Sequence, residues 1–363
     1  MRLIALLALA VSAYGATYYV SGTGSDSNSG LSESAAFRTI QTAANKTLPG
    51  DVVYVMNGVY TTCAGCNLLD ITRTGTADAW VAYLAYPGHQ PRISAGTAWN
   101  AIEVHGGASY IEISGFHLQG NRLNVTLAQC TAQAQQTTPD PACNGNGISV
   151  DGRQDGANKP HHILIAGNEI YDFPGGGIGT AEADYVTIED NFVHENAWYS
   201  RYGNSGISVY ESWNYDSGPA PHTIVQRNRA FDNRSLVPYG NTGQPTDGDG
   251  IIIDTSRNNQ PGSDNIGAYT GGFLVENNLA VNNGGAGLLA YQSDNITFLN
   301  NTVYGNGLVV KYADVFVNQS GSVNVWNNVV ESAATGTAAN VYGSAGVQFD
   351  YNMYWNGPVR QRK

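Results

Sequence analysis

The chain has 363 residues, a formal charge of -12, 42% hydrophobic residues and only 13% charged ones. That balance argues against nucleic-acid binding, because a phosphate backbone rewards clustered Lys and Arg and no basic stripe occurs here. The 44 Gly, the many Asn and the 22 Tyr argue against disorder and for a β-rich protein with many tight turns, since Gly and Asn tolerate the left-handed backbone that turns demand.

At the N-terminus a single charge, Arg2, precedes an apolar run from Leu3 to Val11, and small residues follow at Ala13 and Gly15. This is the pattern of a secretory signal peptide over residues 1–15. It predicts an exported protein, extracellular or periplasmic. Residues 16–363 show no linker-like stretch and are expected to form one domain. No segment approaches the ~20 apolar residues of a membrane span, so no membrane partner is expected, and the chain is read as a monomer. From Ala36 to Ala44 apolar residues recur at helical spacing just before Pro49, Gly50 and Asp51, which predicts a short helix that caps one end of the fold. Cys63, Cys66, Cys130 and Cys143 suit an oxidising compartment. Of their three connectivities the local one is expected, Cys63 with Cys66 and Cys130 with Cys143. A zinc or redox role for the first pair lacks a second close pair or a suitably spaced His.

Beyond residue 160 the chain repeats itself. An apolar-x-apolar segment followed closely by Asn ends in turn at Asn168, Asn191, Asn228, Asn278, Asn301, Asn328 and Asn352. Four of the six intervals lie between 23 and 27 residues, the length of one coil made of three short strands and three turns, and the two longer intervals hold insertions. Alternation turns one set of side chains inward and the next outward. The recurring Asn would then stack into a ladder at a turn, its amide satisfying buried backbone groups. A second strand series opens at Gly147, Gly177, Gly206, Gly250 and Gly287. With coils about 4.8 Å apart, its trailing positions Asp151, Tyr210, Asp254 and Tyr291 become a column, with Glu211, Thr255 and Gln292 one step further on.

The stretch from Tyr18 to Asp26, continued through Gly58, Val59 and Tyr60, together with the Asn-terminated repeats, resembles the pectate lyase-like superfamily, polysaccharide lyase family 9 included. The resemblance spans most of the chain beyond residue 15. It implies an all-β fold, a single-stranded right-handed parallel β-helix, or solenoid, with an N-terminal helical cap. It also implies carbohydrate chemistry, with calcium in an Asp-rich turn and a Lys base one or two coils away. The fold hosts lyases, hydrolases, epimerases and binding proteins alike, so chemistry has to be read from the site.

The densest acidic cluster is Asp247, Asp249 and Asp254. As calcium ligands the three would supply hard oxygens at a Gly-rich turn. As an acid and base pair, Asp249 and Asp254 would hydrolyse a glycosidic bond. Asp247 and Asp249 also suit plain turn capping. Lys311, Arg257 and Arg201 are the cations considered for removing the proton beside a uronate carboxyl, Lys311 and Arg257 foremost. Tyr210, Glu211, Tyr291, Trp198, Tyr202, Arg201 and Trp213 are expected to bind sugar, because aromatic rings stack on pyranose faces and carboxylates accept hydroxyl hydrogen bonds. The insertion Asn196 to Asn204 and the aromatics after Tyr210 are expected to form one cleft wall. Against the family pattern, Ser205 and Ser208 stand where another Asp would help, and Tyr291 and Gln292 where a Lys would. The scattered His residues suit turns or the core. Three functions remain open: a lyase cleaving an acidic, uronate-containing polysaccharide by β-elimination, a glycoside hydrolase, and a non-catalytic carbohydrate-binding protein.

Overall fold

The computed structural model describes residues 15–356 and 359–362, apart from 241, 261–265 and 334. The signal peptide expected over residues 1–15 therefore lies, all but its last residue, outside the described residues. The chain winds through three parallel sheets of ten, eleven and ten strands, each coil adding one strand to each. Sheet 1 begins at Leu69–Ile71 and includes Asn100–Val104, Asn146–Asp151, Ile178–Ala181, Ile207–Tyr210, Ile251–Asp254, Leu288–Tyr291 and Val315–Asn318. Sheet 2 runs from Thr17–Val20 to Ala345–Asp350, and sheet 3 from Val59–Tyr60 to Met353–Trp355.

Alternating patterns make this winding favourable. In His161–Ala166 and Asp184–Glu189 every second side chain is buried, and the inward set Ile163, Ile165, Val186 and Ile188 joins one core that continues from Val20 to Val341. Each such side chain contributes about 1.5–3 kcal/mol by leaving water.

Each of the three corners carries its own polar ladder. Between sheets 2 and 3 all seven Asn of the sequence repeat are stacked. The Asn191 amide donates to the Ile165 carbonyl (2.9 Å) and to Asn228 Oδ1 (3.0 Å), while Asn228 Oδ1 also accepts the Asn191 backbone N–H. The residue before each ladder Asn has φ between 53 and 63°, a left-handed turn that only Gly adopts without cost. The next corner has a second ladder, Asn196, Asn233, Asn283 and Asn306, closed by Asp314. The corner after sheet 1 uses Ser212, Ser256, Ser293, Ser320 and Ser344, each hydroxyl accepting the N–H of the Ser before it. Buried backbone groups that no strand can satisfy are thereby paired.

The helix expected over Ala36 to Ala44 is a single turn, Ile40–Ala44, with Ile40, Ala43 and Ala44 buried. Phe37 is extended instead, because it bridges Val20 in parallel and its N–H donates to Tyr19. The helix starts only at the Thr39 cap, whose hydroxyl accepts from Thr42 N–H. Disulfides join Cys63 to Cys66 and Cys130 to Cys143, the local pairing. The second staples an insertion containing helices Leu127–Ala134 and Pro141–Asn144, which packs on Val237 and Tyr199. No described helix is long and apolar enough to cross a membrane.

Candidate functional site

Insertions gather at the two ends of the sheet 1 strands. Before these strands lie the described segments 120–145, 195–206, 232–240, 242–250 and 305–314, and after them 152–160, 211–222, 255–260 and 266–272. The outer face of sheet 1 is thus a floor between a leading and a trailing wall. The side chains of Ile251 and Ile253 enter the main core, whereas Ile252 packs with Leu289 and Phe316 on the opposite side. By alternation Asp254 shares that outer side with Ile252.

Register places Tyr210 beside Asp254 and Asp254 beside Tyr291. Asp151 stands one strand further off, separated from Tyr210 by Ala181. Glu211, Thr255 and Gln292 follow the column at φ of 46, 47 and 45°, so the corner turns at the same step in successive coils.

Burial dominates the electrostatics of this floor. Asp254 Oδ1 is shielded from water without a hydrogen-bond partner. Its carboxyl is held well above the usual carboxylate range by burial first, with Asp247 and Glu211 adding repulsion. Asp247 is pushed up to about 6, again by burial. Asp249 is fully enclosed and also raised by burial, then by Asp247. Its Oδ1 accepts the Ala286 N–H (2.5 Å) and its Oδ2 accepts the Ser205 hydroxyl (3.2 Å). Burial raises Glu211 as well. It also raises the Tyr210 phenol, with Glu211 next in effect, and the Tyr291 and Tyr312 phenols beside these acids.

Calcium does not fit Asp247, Asp249 and Asp254 as placed. An ion that binds oxygens at about 2.3–2.6 Å needs ligand atoms within roughly 5 Å of one another. Among the described residues one trio of His, Cys, Asp or Glu converges to that extent, and it is Asp70, Glu103 and His105.

The expected cations are occupied elsewhere. Arg257 makes a two-pronged pair with Asp294 (2.9 and 2.7 Å), Lys311 Nζ donates to the Gly307 and Leu308 carbonyls of its own loop, and Arg201 donates to the Gln136 carbonyl. The expected single aromatic wall is divided. Trp198, Arg201 and Tyr202 belong to the leading wall, Glu211 and Trp213 to the trailing one. Trp198 has Arg122 and Arg234 over its ring at 4.5 and 5.0 Å, so guanidinium groups cover it. Tyr202 is exposed, and the Trp213 N–H donates to Ala183.

Two features escaped the sequence reading. Arg153 grips Asp151 through Nε (2.9 Å to Oδ1) and Nη2 (2.6 Å to Oδ2). Its signal was position: it follows the column residue Asp151 by two. The other feature is a stack of rings at the corner into sheet 2, Tyr110 on His162 (4.6 Å), His162 on Tyr185 (4.4 Å) and Tyr185 on His222 (3.9 Å). Beneath it the buried Asp184 accepts from Tyr269 OH (2.6 Å), the Tyr215 N–H (2.8 Å) and His222 Nδ1 (3.1 Å), tying both long trailing loops to sheet 2.

Continuous winding, three corner ladders and a walled outer face define a right-handed parallel β-helix. The chain belongs to the Pel9A-like right-handed beta helix family, whose pattern matches residues 18–327. Among solved structures it is similar to an alginate lyase from Paenibacillus sp. str. FPU-7, at 16% identity over 89% of this chain and 95% of that one, TM-score 0.58. It is similar to XylC in complex with xylose, at 12% identity over 92% and 70%, TM-score 0.56. A rhamnogalacturonan lyase shares 17% identity over 95% and 75%, TM-score 0.50. At such identities the likeness is one of fold. No curated protein matches the chain by sequence.

Proposed function

We propose that this chain is an exported enzyme that cleaves an acidic, uronate-containing polysaccharide by β-elimination on the outer face of sheet 1. The observation that carries this reading is the register of Tyr210 beside Asp254 on one floor, with Arg153 at its trailing edge, held there by the column residue Asp151. Arg153, oriented by Asp151, presents a guanidinium that suits a uronate carboxylate. The ionised fraction of Asp254, a side chain only partly buried on that floor, accepts the proton on the carbon next to that carboxyl. The bond from the neighbouring carbon to the glycosidic oxygen breaks, a carbon–carbon double bond forms, and the Tyr210 hydroxyl, kept protonated by burial, donates to the departing oxygen. Proton return from Asp254 to Tyr210 restores both groups. Burial that disfavours the charged form of Asp254 also lessens the repulsion that a chain of charge -12 would exert on a uronate.

Hydrolysis by Asp249 and Asp254 is less well supported, because Asp249 is enclosed and cannot meet a substrate water. The test is a product-resolved screen on pectate, alginate and rhamnogalacturonan with a chelator present. Unsaturated, ultraviolet-absorbing oligosaccharides are expected. Reducing ends without that absorbance would identify a hydrolase, and affinity without cleavage a binding protein, and either result overturns the reading.

A further inference from the structure

The outer face of sheet 1 continues past Asp151 toward the first coils, where it carries a group of side chains that the reaction above does not use. Asp70 and Glu103 are register partners on adjacent strands. His105 follows Glu103 by two residues and so projects to the same side. It lies one step beyond the Val104 to Val150 pair, at the level of Asp151, and thus belongs to the column of Tyr210 and Asp254. One potential ligand atom from each of Asp70, Glu103 and His105 lies within 4.8 Å of the others. All three are half-buried and stand on or directly beside paired strands, so their spacing is set by the sheet.

Two separate observations point to a cation. The first is unbalanced charge. Among the described residues no Lys or Arg forms an ion pair with Asp70 or Glu103, and His105 lies 3.7 Å from Asp70. The second is room. A cavity of about 260 Å³ opens on the Asp70 and Asn67 side of the group, bordered by Arg38, Gln41, Tyr60 and Cys66, with Glu103 and His105 outside its lining. Asn67 gathers the two acids, its amide donating to Asp70 Oδ1 (2.7 Å) and to Glu103, while its own Oδ1 is fixed by the Asn100 N–H (2.9 Å). Each carboxylate keeps lone pairs beyond the one Asn67 uses.

We propose that Asp70, Glu103 and His105 bind one divalent cation of the zinc or manganese class at the N-terminal end of the groove. An imidazole with two carboxylates suits such borderline ions better than calcium, which prefers an all-oxygen shell. Three protein ligands leave coordination positions for water or an anionic ligand. His105 precedes Tyr210 by three strands along the column, a distance of about 14 Å at the spacing of paired strands. The ion would therefore hold an acidic group on a sugar remote from the bond that is cut. That last role rests on the proposed function; the ion site itself does not.

The experiment is a calorimetric titration of the metal-freed full chain with zinc and with manganese, repeated on Glu103→Gln and His105→Ala, each first shown to melt like the parent without metal. One saturable site is expected for the parent, with affinity reduced at least tenfold in each variant. Should one variant fail to fold, the other serves alone. Absence of saturable binding of both ions, or affinity that neither substitution changes, overturns the proposal and leaves the reading of the Tyr210 and Asp254 site untouched.

Discussion

Replacing Asp247 by Asn separates the stability of the groove from its chemistry. Asp247 has φ of 59°, where Asn is among the best-tolerated residues, and the amide keeps the shape of the carboxyl. Burial moves this carboxyl from its ordinary 3.8 up to about 6, with the Thr246 hydroxyl opposing. Because the folded-state value lies above the unfolded one, ionisation works against folding. The penalty is absent at pH below the unfolded value, grows as pH rises toward 6 and is complete above it. A displacement from 3.8 to about 6 corresponds to about 3 kcal/mol. Asn carries no such penalty. The variant is expected to be more stable than the parent by about 3 kcal/mol at about pH 7.5 and indistinguishable from it at about pH 3.5. Urea unfolding of both proteins at the two pH values reads the difference. A stability change of the same size at both, or destabilisation at the higher pH, would refute the argument that this acid is buried against its own ionisation.

Tyr210→Phe should lower kcat on the acidic polymer by about 10²-fold or more while leaving the melting temperature near that of the parent, since it removes only the donated proton. Arg153→Gln should raise KM about tenfold with a smaller change in kcat, as expected for lost carboxylate recognition. Asn278→Ala should cost about 3 kcal/mol in urea unfolding, because it strands the Asn228 N–H and the Val225 carbonyl in the core. Asn352→Ala, at the last described rung and half-buried, should cost clearly less.

The winding was legible because burial and polar satisfaction recur once per coil. All seven Asn of the sequence repeat stand in one ladder. A second ladder was equally written, since Asn196, Asn233, Asn283 and Asn306 each follow a member of the first by five residues. Ser256, Ser293, Ser320 and Ser344 each follow the end of a sheet 1 strand by two. The alignment of Tyr210, Asp254 and Tyr291 also followed from strand register. What did not follow was the filling of the walls. Whether Trp198 offers a free face depends on Arg122 and Arg234, and whether Asp249 can reach a ligand depends on Ala286 and Ser205. These contacts join segments 36 to 76 residues apart, and no local pattern encodes them. Arg153 is a related case: it lies far from Asp254 in the sequence, and coil stacking alone brings the Asp151 strand to within two of the Tyr210 strand.

The central claim is one of place, that the outer face of sheet 1 is where polymer binds. A crystal of the Tyr210→Phe variant grown with an acidic oligosaccharide tests it most directly. The sugar is predicted to lie along the axis between the two walls, with a carboxylate on the Arg153 guanidinium and the scissile linkage over Asp254. Sugar bound on the outer face of sheet 2 or sheet 3 would contradict the account.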